Sequence, residues 1–388
     1  MKQEMDYIVK YLEKFDQVPF CVAMDQKEYR IGAGDPKFRV VLRNPIPKTA
    51  LLTSTSLALG ESYMKGDLEV EGDLFSALDL FLGQMERFMT NKTVLHKLIH
   101  TSTSMKNQKA EVSSHYDIGN DFYRLWLDET LSYSCGYFAK PQDTLYEAQM
   151  GKIHHTLDKL ELEKDMFLLD IGCGWGYMLI EAAKKYHVKG IGITLSEEQC
   201  KACRQRIEEE GLRGEVQVYV MDYRELAGSG MRFDRVVSVG MLEHVGRQNY
   251  ELFLKSVDSV LKPSGLFLLH YISALKEHPG DPWIKKYIFP GGMIPSLREM
   301  IQLFGDHRYY TLDVESLRRH YVKTLLCWRD NFEKHREEIA EMFDTEFVRM
   351  WELYLCSCAA SFDNGIVDLH QILLSKGVNN RIPMTRPC

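Results

Sequence analysis

The sequence predicts an α/β fold: a largely parallel sheet buried on both faces, preceded by a smaller α+β domain. Three observations predict it. Short continuous apolar runs alternate with helical segments from about residue 160 to 275, the pattern of strands covered on both sides. A glycine-rich turn, Asp170-Ile171-Gly172-Cys173-Gly174-Trp175-Gly176, joins one such run to a helix. A polar stretch rich in Lys, Ser, Thr and Asn, residues 91–110, separates this block from the N-terminal one.

The elements follow in order. Residues 1–90 mix strand-like runs such as Phe38-Arg39-Val40-Val41-Leu42 with one amphipathic helix. That helix carries Leu74, Phe75, Leu78, Phe81, Leu82, Met85 and Phe88 at i, i+3, i+4 spacing. Residues 91–110 read as a linker, and 111–388 as the main domain. Its strands are expected at Met166–Leu169, Val188–Ile193, Val216–Val220, Arg235–Val239 and Leu266–Leu269, with a helix bearing Met178, Leu179, Ala182 and Ala183 after the glycines. Beyond about residue 275 helical patterns take over. One is Phe347, Met350, Trp351, Tyr354, Leu355 and Cys358, expected to cap the sheet and close over the site.

The bulk numbers narrow the function. At 388 residues, two or three domains are expected. A net charge of -7 argues against nucleic acid as a partner. The basic stretch from Arg87 to Ala110 reads as a solvated linker, with contact to anionic lipid head groups as the sharper alternative. Nine scattered cysteines fit a reducing cytosol. Cys200 and Cys203 have C-x-x-C spacing but no second pair, so they read as helix residues and no metal site is expected. The N-terminus has no signal-peptide pattern and no run is long enough to span a bilayer, so the expectation is a cytoplasmic protein with peripheral membrane contact at most.

The turn is a ligand site by context. Glycine lets the backbone approach a ligand, and the following helix presents free N–H groups. A dinucleotide fold would place the third glycine one position later and end the second strand in an acid. Here Gly190-Ile191-Gly192-Ile193 runs into Thr194-Leu195-Ser196, and Gln199 lies one helical step beyond, able to offer an amide to a ribose. The balance shifts to S-adenosylmethionine. Asp170 either caps a helix or accepts a hydrogen bond from a cationic amino group.

Two polar strings sit at carboxyl ends of strands, where the reacting group belongs. They are Met241-Leu242-Glu243-His244-Val245-Gly246 and Leu269-His270-Tyr271-Ile272. Glu243 and His270 converge by topology into a pocket able to bind a small anion, shuttle a proton or orient a base. The aromatic-rich segments His115–Phe138 and Lys286–Gly292 are either ordinary core or a wall that stabilises a cation.

Seven strings taken together resemble the cyclopropane-fatty-acyl-phospholipid synthases and the related mycolic acid cyclopropane synthases. They are HYDIGNDFY at 115, LSYSCGYF at 131, DIGCGWG at 170, GITLSEEQ at 192, MLEHVG at 241, KYIFPGG at 286 and HYVKTLLCW at 320. The resemblance covers nearly all of 110–388. A looser one at Leu59-Gly60-Glu61-Ser62-Tyr63-Met64 points to the lipid-handling domain of the phospholipid enzymes, although Asp67-Leu68 replaces their usual aromatic pair.

The resemblance implies a Rossmann-like class I methyltransferase sheet with a helical cap. It implies S-adenosylmethionine contacts at Tyr133, Ser134, Gly172, Gly174, Thr194 and Gln199, with Asp222 and Tyr223 near the adenine; Asp170 joins the cofactor set on the context of the turn itself. It implies a bicarbonate ion held by Cys135, Glu243, His270, Ile272 and Tyr321, the first and fourth through backbone groups. It also implies an unsaturated phospholipid substrate and a homodimer.

The chemistry would be methylene transfer to a cis double bond. An alkene is a poor nucleophile, so the sulfonium methyl must be held in line with it in a dry pocket. The resulting carbocation is expected to face Tyr137 and Phe138 and to lose a proton to bicarbonate. Cys135 is expected to be a pocket residue, not a nucleophile. The alternatives are a methyltransferase making a methyl-branched lipid or an N-methylated small molecule, and a non-catalytic lipid-binding protein.

Overall fold

The computed structural model describes residues 8–24, 27–84, 118–277 and 280–385. Met85 and Phe88 of the expected helix, the stretch 87–110 and His115-Tyr116-Asp117 lie outside them. The chain divides into two compact units, each assembled from separate stretches. One is Met1–Leu98 with Gly280–Pro290 and Leu325–Ile366; the other is Ile99–Pro279 with Gly291–Thr324 and Val367–Cys388.

The first unit holds a four-stranded sheet in the order β2-β1-β3-β4. Its strands are β1 (Phe20–Met24), β2 (Lys27–Ile31), β3 (Arg39–Leu42) and β4 (Leu68–Glu71). In β3 the alternation buries Val40 and Leu42, while Arg39 reaches Glu71 on neighbouring β4 and, across β1, Glu28 on β2. Among the helices that accompany the sheet are α1 (Lys48–Thr53), α2 (Thr55–Met64) and α3 (Leu74–Gly83). Asp73 caps α3 by accepting from the Ser76 N–H, which fixes where the amphipathic helix starts. Phe81 of that helix meets Phe20 edge-on, with ring centroids 5.4 Å apart.

The string Leu59–Met64 has a packing explanation. A Cβ on Gly60 would lie 2.4 Å from Trp283 Cδ1, so only glycine lets the helix Pro282–Tyr287 approach this closely. Trp283 Nε1 donates to Met64 Sδ, and Lys286 Nζ and the Tyr287 hydroxyl both donate to Glu61. The helix Thr345–Asp363 also packs on α2 and α3. Its Arg349 donates to the Tyr63 carbonyl and lies over the Tyr63 ring at 4.1 Å. The apolar face from Phe347 to Cys358, expected to cover the sheet, thus belongs to the first unit.

The second unit holds a seven-stranded sheet in the order β10-β11-β9-β8-β5-β6-β7. Its members are β5 (Phe167–Ile171), β6 (Lys189–Thr194), β7 (Val216–Val220), β8 (Phe233–Val239), β9 (Leu261–Ser273), β10 (Tyr309–Ser316) and β11 (Asp368–Lys376). Strands β5 to β9 run parallel. β11 runs antiparallel to both β9 and β10. The five expected strands are all present, and β9 is longer than its apolar stretch.

β10 and β11 were not expected, for a physical reason. β10 is an edge strand with mostly polar or half-exposed positions, and β11 interrupts its apolar run with the buried polar residues His370, Gln371 and Ser375.

Helices cover both faces of this sheet. On one lie α5 (Leu145–Lys159), α6 (Tyr177–Tyr186) and α7 (Glu197–Glu209), through Leu157, Leu179 and Ile207. Here Cys200 and Cys203 are buried helix residues, as read from the sequence. On the other lie α9 (Tyr250–Val260) and α10 (Leu297–Asp306), through Phe253, Val257, Met300 and Phe304. The strand order reverses at β5, between β6 and β8, which places a ligand crevice at the carboxyl ends of these strands.

Gly60→Ala tests the close approach in the first unit. It should lower stability in urea unfolding by roughly 1–3 kcal/mol. Adding Trp283→Ala, which removes the clashing ring, should make the double variant cost less than the sum of the single ones.

Candidate active site

The glycine turn leaves β5 and enters α6 with Gly172, Gly174 and Gly176 all at positive φ. Gly176 is the N-cap of α6, and a Cβ there would overlap Cys203 Sγ of α7. At Gly174 an added Cβ would meet nothing within 4 Å, because this part of the turn faces open space. Trp175 pins the turn from the side, its Nε1 donating to Asn120 Oδ1 at the start of α4 (Asn120–Trp126).

That open space is a cleft open to solvent, bounded by the glycine turn, the Thr130–Ser134 segment and the ends of β6 and β8. Tyr133, Ser134, Asp170, Gly172, Gly174, Thr194, Gln199, Asp222 and Tyr223 all line it. Thr194 Oγ1 donates to Gln199 Oε1 at 2.8 Å, which occupies the amide oxygen and points its NH₂ to other uses. Asp222 ends β7's connection and takes Arg224 on both carboxylate oxygens, at 2.7 and 2.6 Å. Tyr133 packs edge-on against Trp126, with centroids 5.2 Å apart.

Asp170 is the electrostatic oddity of the wall. It is only 4% exposed, and no hydrogen bond reaches its carboxylate among the described residues. Burial pushes its pKa up to about 7 against the relief given by nearby Lys152.

The remaining candidates do not line this cavity. Glu243 lies on α8 (Leu242–Val245), the short helix that follows β8, and His270 and Ile272 lie on β9. Glu243 Oε1 accepts the Ile272 N–H at 2.6 Å, which ties the short helix after β8 to the end of β9. The Glu243 Oε2 and His270 Nε2 atoms are buried and have no partner among the described residues. Burial raises Glu243 to about 7 and lowers His270 to about 3, so the imidazole is neutral at physiological pH.

Cys135 is fully buried, with its thiol donating to the carbonyls of Gly136 and Leu317. Burial pushes its pKa up, which suits a pocket residue and not a nucleophile. The neighbouring Gly136 N–H donates to Thr324 Oγ1, on the same helix as Tyr321, α11 (Arg318–Lys334).

One expectation is corrected. Tyr137 has imidazole rings stacked on it, His155 at 4.2 Å and His320 at 4.8 Å. Phe138 carries the Lys323 ammonium 4.0 Å from its ring centroid. Faces already stacked or already holding a cation do not stabilise a carbocation, so these two rings do not serve that role.

Sequence reading missed the polar face of α5. Gln149 donates to the carbonyls of Ser132 and Ser134, and Lys152 to Ser134 Oγ. Thr156 accepts from Gln371 Nε2, which also lies 3.5 Å from His270 Nδ1. All three helix residues are buried. The signal was available: Gln149, Lys152 and Thr156 recur at spacings of three and four beside apolar Ile153 and Leu157, behind a Thr144–Glu147 capping box.

Comparison with known proteins agrees with this architecture. The solved cyclopropane synthase MmaA2 from Mycobacterium tuberculosis superposes with a TM-score of 0.66 at 32% identity, covering 69% of this chain and 98% of its own. The mycolic acid cyclopropane synthase CmaA1, solved with SAH and CTAB, gives 0.65 at 34% identity with the same coverages. The fold is that of the class I S-adenosylmethionine-dependent methyltransferases. A family model described as mycolic acid cyclopropane synthetase matches residues 103–372, and the chain belongs to that family. A domain of unknown function matches residues 7–93.

Two curated relatives match over nearly the full length. A probable fatty acid methyltransferase of Pseudomonas putida is 37% identical, covering 93% of both chains. The cyclopropane-fatty-acyl-phospholipid synthase of Escherichia coli K12 is 38% identical, covering 92% of both.

The raised Asp170 pKa has a measurable consequence in the ligand-free protein. Between the unfolded value near 4 and the folded value of about 7, the folded state holds more protons than the unfolded one. Stability from this group is therefore lost as pH rises through that window. Asp170→Asn removes the effect. Its stability advantage over wild type should grow from about pH 4 to 7 and then level off, as read by urea unfolding across that range.

Proposed function

We propose that this protein transfers a methylene group from S-adenosylmethionine to the cis double bond of an unsaturated phospholipid acyl chain, with bound bicarbonate as the base. The observation that carries the reading is the pair of unpartnered buried atoms, Glu243 Oε2 and His270 Nε2, at the strand ends beside a cavity lined by every residue expected to hold the cofactor. A buried acceptor and a buried imidazole nitrogen cost free energy unless a small polar group joins them. An anion with both a hydroxyl and acceptor oxygens satisfies them together.

The cofactor fits the donor set. Asp170 offers a carboxylate to its ammonium group, Gly172 and Gly174 leave the backbone open to it, Gln199 offers an amide to the ribose, and Asp222 and Tyr223 bound the adenine end. When bound, the cofactor supplies an electrophilic methyl and bicarbonate supplies a base near neutrality. The chain's own residues orient and exclude. Ile272 N–H anchors Glu243, so that Glu243 Oε2 can fix the anion. Gln371 Nε2, facing His270 Nδ1, favours the tautomer with the proton on Nε2, which then donates to the anion. Cys135 contributes a backbone group and Tyr321 a hydroxyl, Ile272 acts through its bond to Glu243, and the raised Cys135 pKa keeps a nucleophile away from a carbocation.

A phospholipid substrate is supported by the length of the match to the Escherichia coli synthase, which extends well beyond the part aligned with the mycolic acid enzymes. Among the described residues no helix is long and apolar enough to cross a membrane. We assign the protein a peripheral association with the inner membrane face, as a homodimer. The name of the Pseudomonas putida relative supports a second reading, methyl transfer without ring closure, on the same framework.

The deciding experiment incubates the protein with unsaturated phospholipid vesicles and labelled S-adenosylmethionine, then analyses the acyl chains by mass spectrometry. A gain of one methylene with loss of the double bond is expected. A retained double bond or a reduced methyl branch supports the second reading, and no labelled lipid sinks both. Depleting bicarbonate should lower turnover and restoring it should recover the rate. Glu243→Gln should lower kcat by about 100-fold or more, with cofactor affinity changed by less than about threefold. Equal loss of both would make Glu243 a structural residue.

A further inference from the structure

Lys152 is a buried cation that none of the roles above uses. It is 4% exposed, lies on α5, and lines the same cavity as Asp170 and the glycine turn. Its ammonium carries three N–H donors. Among the described residues the one hydrogen-bond acceptor it reaches is Ser134 Oγ, at 2.9 Å. Its charged neighbours are Asp128 and Asp170, together with the Cys135 thiol. Asp128 is occupied elsewhere, taking the Thr130 N–H and hydroxyl at 3.1 and 2.9 Å. Asp170 is close enough to feel the ammonium, yet forms no ion pair with it.

One wall of the cavity therefore holds a cation and an anion, both buried, both with unspent hydrogen-bonding capacity, and not joined to each other. Burial of an unpaired charge is costly, and it lowers the lysine to a pKa of about 8. The group that satisfies both at once is zwitterionic, with a carboxylate and an ammonium a few ångströms apart: an α-amino acid.

We propose that Lys152, steered by Ser134, binds the carboxylate of the cofactor's amino-acid end while Asp170 takes its ammonium. The inference rests on the assignment of this cavity to S-adenosylmethionine. It adds a residue, Lys152, which draws the carboxylate of the methionyl end toward α5. Facing the Lys152 ammonium are Asp170 from β5, Asp128, Cys135 and Ser134 from the segment before α5, and His270 from β9, the last coupled to it electrostatically. An anion at the Glu243–His270 pocket would feel this charge too, so the test must separate the two carboxyl-type ligands.

Calorimetry on the full-length protein does so, using S-adenosylhomocysteine and 5′-methylthioadenosine, which shares the nucleoside and thioether but lacks the amino-acid end. Lys152→Met should weaken S-adenosylhomocysteine by about 10- to 100-fold, the range of a charged hydrogen bond. It should leave 5′-methylthioadenosine within about threefold. Retained binding of the latter also shows that the variant is folded. Equal weakening of both ligands, or no weakening of the first, overturns the proposal. So does an unchanged S-adenosylhomocysteine affinity with a raised bicarbonate requirement, which would assign Lys152 to the other anion.

A wild-type arm needs no variant. Decarboxylated S-adenosylmethionine, which keeps the ammonium, should bind at least about tenfold more weakly than S-adenosylmethionine; equal affinity overturns the proposal. If wild type binds none of these nucleosides, the cofactor assignment itself fails, a distinct outcome.

Discussion

A lysine ammonium and two carboxylates buried in one protein unit cannot be placed independently, because each unpaired charge in a low-dielectric interior costs several kcal/mol. The polar face of α5 is where this constraint is met. Gln149 holds the carbonyls of the Ser132–Ser134 segment, Lys152 holds the Ser134 hydroxyl, and Thr156 receives Gln371 beside His270. One rigid helix thus sets the cavity wall and supports the strand ends. Further along, His155 and Lys159 carry the same face to Glu315 of β10. Moving this helix would unpair buried groups along its whole length, so the site is held by electrostatic necessity as much as by apolar packing.

The two strand-end carboxyl groups share a consequence of burial. Asp170 and Glu243 both sit near 7, far above exposed carboxylates, and His270 is kept neutral. Each is therefore poised to change charge when a ligand arrives. A cationic ligand would ionise Asp170, and a protic anion beside Glu243 would share its proton. The pocket is built to take its final charge state from what it binds.

Most of this framework was legible in the sequence. The apolar runs at the centres of the parallel strands, such as Leu168-Leu169 of β5 and Val236-Val237 of β8, and the glycine turn stand out because burial on both faces favours short apolar runs, and a tight turn demands glycine. The residues that line the cavity were legible as a set, through ordered strings whose members meet only in the fold. What escaped were elements whose polar residues are buried for a reason sequence cannot display. β11 hides Gln371 inside a strand, and Lys152 looks like any helix-surface lysine until its neighbours are known. Tyr137 failed as a cation-stabilising ring for the same reason: its stacking partners, His155 and His320, come from two distant helices. The grouping of Thr345–Asp363 with the N-terminal strands was equally invisible, since an apolar helical stripe does not say which surface it will cover.

That grouping gives the chain an unusual modularity. The segment matching the synthetase family starts at residue 103, yet two stretches within it, Gly280–Pro290 and Leu325–Ile366, complete the N-terminal unit. Trp283 sits against Gly60, and Arg349 against Tyr63. A gene cut at the family boundary would strip those tryptophan and arginine faces of their cover. In this chain the two units are interleaved along the sequence, so no single cut leaves both of them whole.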